Sequence, residues 1–294
     1  MSSSYKPALL KALVRLLRGG VGPEISLQRV GSEFVKLYWT QTVIFHLRQA
    51  ATVLSEPEVV RRIRSAAERN RVRTLDSLPK TVRESLDLEM ARVLTIYVLG
   101  AFHRSKSETM GVLFTWTLGS SVVSIPARAL EFIESNAAAL ESIANLWWAR
   151  YLEKVNHLAP LVIEKVERDG AERGSLAKYL KILLEIDEPL CFYCGRQLGA
   201  GSATHVDHVI PWSFLLADPL WDLVLACAMC NSAKSDVLPR RDFLDKLAQT
   251  GMSRAKITLP PGFASPVLAP EEIDRYYDAA LSVEWPSGWT PPSL

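Results

Sequence analysis

Residues 204–213 read THVDHVIPWS, and the reading of this stretch decides the fold of the second half of the chain. Asp207 stands directly before His208, His205 lies two residues before the acid, and Val209-Ile210 lead into Pro211. Strand alternation puts His205 and Asp207 on one face and His208 on the other. If base and acid serve one site, the strand must end or bulge at His208, and Pro211 agrees with that. An Asp-His pair alone is more often a surface pair than a site, so its neighbours decide its meaning.

On either side lie CFYC (191–194) and CAMC (227–230), separated by 32 residues and containing all four cysteines of the chain. Two Cys-x-x-Cys knuckles offer Cys191, Cys194, Cys227 and Cys230 as four thiolates, the tetrahedral set of structural zinc. Four thiolates close the coordination shell, so this zinc is expected to hold the fold and take no part in catalysis. Disulfides are rare in the cytosol, the compartment expected for this chain, so metal is the better reading of the cysteines.

A metal-assisted hydrolysis needs an activated water, charge neutralisation and help for the leaving group. Asp207 and Asn231 are hard oxygen donors suited to Mg²⁺ or Mn²⁺. His208 titrates near neutrality and suits a general base. Lys234 follows Asn231 by three residues, on the same face if a helix starts there, and is expected to steady a phosphate as a point charge.

The ordered pattern C-x-x-C, H-V-D-H-V-I-P and D-L-V-L-A-C-x-x-C-N-x-x-K-S-D, over about 190–240, resembles the HNH endonuclease family in its zinc-knuckle form. The resemblance implies a ββα-metal fold. It matches Asp207 and Asn231 to metal-binding positions and His208 to the base. His205 matches a position that varies among relatives, so orienting the phosphate, assisting the metal and plain hydrogen bonding all stay open. Relatives often carry Asn before the L-x-x-L-C segment, bracing the loop that carries the base. This chain has Asp222, which accepts the same backbone N–H bonds but cannot donate.

The 294 residues are 48% apolar with 17 Pro and 15 Gly, a globular composition. Up to Glu185 there are 26 Lys and Arg against 19 Asp and Glu; the remainder has 8 against 13. The basic first part is therefore the part expected to hold a polyanion. Six arginines lie between Arg61 and Arg73; a solvated helix face is the plainer reading and a nucleic-acid backbone contact the functional one. The uncharged run 109–127 carries six Ser/Thr, two Gly and a Pro, which favours a buried hairpin over a membrane span. No signal peptide is visible.

Helical periodicity covers 7–18, stopped by Gly19-Gly20, then 26–54, 56–73, 77–102, 127–167 with a break near Pro160, and 173–186. His46, His103 and His157 read as ordinary histidines, and Tyr38-Trp39 and Trp147-Trp148 as core or interface packing.

The expected fold class is mainly α with a small α+β module. An α-helical domain at 1–186, regulatory, sensing or nucleic-acid-holding, precedes the nuclease module at 187–250. A Pro-rich extension follows at 251–294, with one short helix and a tail that is loosely ordered or laid over another surface. The expected function is metal-dependent cleavage of nucleic acid, DNA in the first instance, in a phage-defence or restriction setting with regulatory partner proteins. The alternative is a catalytically inactive, zinc-stapled module that binds nucleic acid or a partner. A membrane is not an expected partner.

Overall fold

The structure is a computed structural model that describes residues 4–52, 56–99, 113–170, 172–199, 204–261, 263 and 265–292. The chain divides into two compact units: one reaches His157 and includes the helix Val162–Glu167, the other includes Leu158–Leu161 and runs from Glu172 onward.

The first unit is helical, with α1 (Tyr5–Arg18), α2 (Leu27–Trp39), α3 (Glu58–Asn70), α4 (Lys80–Val93), α5 (Ala127–Val155) and α6 (Val162–Glu167). Helix α1 buries Ala8, Leu9, Ala12, Leu13 and Leu17 and ends at Gly19, as its periodicity requires. It packs against α5 and α2, and α2 packs against α4. The α2–α4 crossing depends on Gly31, where a Cβ would lie 2.8 Å from the Asp87 carbonyl. Tyr38, Trp39 and Trp148 are core residues, whereas Trp147 faces solvent. The expected break near Pro160 falls between α5 and α6.

A small antiparallel sheet pairs β1 (Glu24–Ser26) with β2 (Val122–Ser124), and Thr115 bridges Ser124. Of the hairpin expected within 109–127, the Thr115–Ser124 bridge lies among the described residues, whereas β2 pairs chiefly with the distant β1; residues 109–112, like the end of the 77–102 helix and His103, lie outside the described residues. Among the described residues no helix is long and apolar enough to cross a membrane. Along α3, Val59, Val60, Ile63 and Ala67 face inward. Arg61 pairs with Glu58, Arg62 with Glu58 and Glu89, and Arg64 with Glu56. The first three arginines of the run therefore already have anionic partners.

The second unit begins before the boundary read from composition at 186. Helix α7 (Ala177–Ile186) buries Ile182 and Leu183 and packs on the sheet of this unit. That sheet pairs β3 (Thr204–His208) with β4 (Leu223–Cys227), antiparallel, Asp207 opposite Val224 and His208 opposite Leu223. The short helix α8 (Trp212–Leu215) lies in the connection, and α9 (Ala228–Lys234) follows β4 directly. Helices α10 (Asp242–Arg254) and α11 (Pro270–Ser282) pack on each other.

The tail lies over the surface of its own unit. Trp285 is buried and donates Nε1–H to the Asp236 carbonyl at 2.7 Å. Trp289 bridges Pro239 and sets its ring 5.1 Å from that of Tyr193. The α10 end is fixed by buried Arg254, whose Nε and Nη2 donate to the two oxygens of Asp187 at 2.9 and 2.6 Å. The same guanidinium reaches the carbonyls of Leu220 and Leu223, so one fork satisfies four acceptors.

Candidate active site

The first Cys-x-x-Cys pair sits on a tight turn and the second at the start of a helix. Gly195, at φ +72°, follows the first knuckle and donates its N–H to the Cys191 carbonyl at 2.9 Å, a left-handed backbone that glycine adopts freely. The second knuckle spans the β4–α9 junction, where the Cys227 Sγ accepts from the Cys230 N–H. The four sulfurs lie within 4.8 Å of one another, with Cys194 and Cys227 3.9 Å apart. Tetrahedral zinc at about 2.3 Å from each sulfur separates them by about 3.8 Å, so the cluster fits. Burial pushes the Cys191 and Cys230 thiols above their ordinary value. Four thiolates in one place therefore call for a divalent cation to offset their charge.

On β3, neighbouring side chains take different partners. Asp207, 7% exposed, accepts a 2.6 Å hydrogen bond from the Tyr193 hydroxyl on Oδ2. The Lys234 ammonium lies 3.0 Å from the same oxygen. Burial, with Asp207 next, pushes the Tyr193 hydroxyl well above its usual value and keeps it a donor. Lys234 also donates to the His208 carbonyl at 2.6 Å and has no exposure to solvent. In this arrangement the Lys234 ammonium meets Asp207 rather than solvent. The face of α9 that carries it meets β3, so its charge balances Asp207.

His208 is the last residue of β3, without a bulge in the register. Its ring is 2% exposed, with Nε2 3.0 Å from Asp218 Oδ1 and Nδ1 3.2 Å from Arg173 Nη1. Burial holds its pKa below the usual value; Asp218 opposes that and Arg173 adds to it. The hydrogen bond from His208 holds the Asp218 carboxyl below its usual value.

Asp222 braces the turn after β3. Its Oδ1 accepts from the Ile210 N–H at 2.8 Å and its carbonyl from the Val209 N–H at 3.0 Å. It is fully buried, and burial raises its carboxyl well above the usual range; Oδ2 has no partner among the described residues. Asn231 is half-buried on α9, one turn before Lys234 and so on the same face. His205 is half-buried, opposite Ala226.

Three residues of this neighbourhood escape a sequence reading. Tyr193 is one of the two residues between the cysteines of the first knuckle, Asp218 lies on the β3–β4 connection, and Arg173 stands before α7. Only the fold brings them to Asp207 and His208.

Residues 191–240 match the family model of the HNH endonucleases. This is the stretch over which the sequence pattern resembles that family. No curated protein and no solved structure matches the chain.

Proposed function

We propose that this HNH module is an active, metal-dependent endonuclease that cuts DNA, with His208 as general base and Asp207 and Asn231 as ligands of Mg²⁺ or Mn²⁺. The observation that carries the reading is the setting of Asp207. Its Oδ2 is engaged by Tyr193 and Lys234, which orients the carboxylate, and Asn231 shares the helical face of Lys234. The donor set is a carboxylate and an amide, hard oxygens suited to such a cation. When bound, the cation supplies positive charge beside the phosphate as negative charge develops on the leaving oxygen.

The rest is work for the chain's own residues. His208 takes the proton from the attacking water at a ring nitrogen. Asp222 holds the backbone behind that ring through Ile210. Zinc on the four cysteines would tie the 191–194 turn to the β4–α9 junction, beside the apolar core of this unit. His205 stands beside the site as a candidate to orient the phosphate. Grip on the polyanion comes from the basic first unit or a partner, and the setting is defence or restriction, by family association alone.

One observation favours the second reading, a zinc-stapled binding module without catalysis: both ring nitrogens of His208 are already engaged. Plasmid nicking across Mg²⁺ and Mn²⁺ separates the two. Wild type is expected to nick, with His208→Ala and Asn231→Ala slower by at least about 10²-fold. Binding that persists with no metal-dependent nicking in any of the three proteins selects the second reading.

A further inference from the structure

The ring of His208 lies between two groups of opposite hydrogen-bonding character. A guanidinium only donates and an ionised carboxylate only accepts. Arg173 Nη1 faces Nδ1 at 3.2 Å, and Asp218 Oδ1 faces Nε2 at 3.0 Å. Only one protonation state satisfies both, the neutral ring with hydrogen on Nε2 and a lone pair on Nδ1. The other neutral tautomer sets N–H against N–H on one side and lone pair against lone pair on the other. A doubly protonated ring sets N–H against N–H at Arg173.

The two partners differ in how firmly they are held. Asp218 is about three-quarters withdrawn from solvent, with a side-chain exposure of 26%. It lies between Leu216 and Pro219 on the connection that returns the chain to Asp222 and β4. Arg173 is exposed, on the non-helical stretch before α7. An exposed guanidinium that donates to a neutral imidazole gains more from an anionic phosphate oxygen, where charge and two-pronged geometry both count. The contact at Nδ1 is therefore exchangeable, and the contact at Nε2 is built in.

We propose that Asp218 is the positioning residue of the base: it fixes hydrogen on Nε2 of His208 and turns the lone pair of Nδ1 toward the reacting water, a place held by Arg173 until a phosphate draws the guanidinium away. The inference rests on the reading of His208 as base. It adds two residues outside the Cys, Asp-His and Asn pattern, and it states which nitrogen takes the proton.

The test uses the full-length, zinc-loaded protein labelled with ¹⁵N in its histidine rings, with His208 assigned by difference from His208→Ala. Without Mg²⁺, the ring nitrogens of His208 in wild type are expected to report hydrogen on Nε2 and none on Nδ1. Asp218→Asn keeps the shape but can donate as well as accept; it is expected to give mixed tautomers. Its nicking kcat should fall about 10²-fold with KM little changed and zinc content intact. Asp218→Ala should match it, and Asp218→Glu should recover part of the rate. Hydrogen on Nδ1 in wild type overturns the proposal. So does full nicking by Asp218→Asn and Asp218→Ala beside an inactive His208→Ala, a result that leaves the base reading standing. If His208→Ala nicks like wild type, the base reading itself fails, and the ring spectra still decide whether Asp218 sets the tautomer.

Discussion

The Lys234 ammonium sits 3.0 Å from Oδ2 of Asp207, and Lys234 is wholly buried. The pair is completed by the Tyr193 hydroxyl and the His208 carbonyl. Removing one partner of such a pair leaves a buried charge uncompensated. Lys234→Met should therefore destabilise the second unit by about 3–5 kcal/mol, read as a shift in its urea midpoint. Unchanged stability with weakened DNA binding would return Lys234 to the phosphate role first expected of it.

Zinc and the catalytic cation should separate cleanly. A chelator strong enough to strip zinc is expected to unfold the second unit, because four sulfurs within 4.8 Å of one another, three of them on buried cysteines, lose their common charge partner. Trp289, against Tyr193 of the first knuckle, reports this by fluorescence. Omitting Mg²⁺ should stop nicking and leave that fluorescence unchanged. Melting on Mg²⁺ removal alone would show that the two ions do not divide the labour this way.

Asp222 accepts from the Ile210 N–H while burial pushes its carboxyl toward the neutral form. An amide has the same shape and the same acceptor. Asp222→Asn is expected to keep fold and nicking, whereas Asp222→Ala should cost about 1–3 kcal/mol by orphaning a buried N–H. Thermal melts of the two variants beside wild type measure the difference, and equal melts would remove Asp222 from the bracing role.

Lys165 in the first unit is fully buried, and burial lowers its pKa to about 7; Lys11 is lowered to about 8. Both folded values lie below those of the unfolded chain. Between about pH 7 and pH 10 the unfolded state therefore holds more protons, and stability rises with pH. The penalty is fully present below pH 7 and fades as pH climbs. For Lys165 alone it is on the order of 5 kcal/mol. Urea midpoints at pH 7 and pH 9.5 should rise for wild type and much less for Lys165→Met, with Lys11 supplying the remainder. An equal rise in both proteins would show that Lys165 keeps an ordinary pKa.

The cysteine knuckles were legible because metal chemistry restricts residue type and spacing, and their four sulfurs do come together; the same restriction singles out the Asp207-His208 pair and Asn231 as the proposed site. The post of Lys234 was not legible. Helical spacing places it on a face, but whether that face meets water or a strand is set by packing. Asp218 reaches His208 from a stretch with no periodicity, and Arg173 from the start of a stretch read as helical whose helix begins only at Ala177, so no local signal marks either contact. Composition left the proline-rich tail as either loosely ordered or laid over another surface, and Trp285 and Trp289 anchor it in the second way. Helix α7 carries an apolar face that spacing reveals, although spacing does not say which unit the face covers.

The Arg254–Asp187 fork has a consequence for anyone who wishes to transplant the HNH module into another protein. It ties a residue upstream of the first knuckle to the far end of α10, well outside the recognisable pattern at 191–240. A cassette trimmed to that pattern discards both halves of the clasp, together with Arg173 and Trp289. The portable unit is the longer stretch from Glu172 onward, and a graft drawn any tighter carries the blade without its handle.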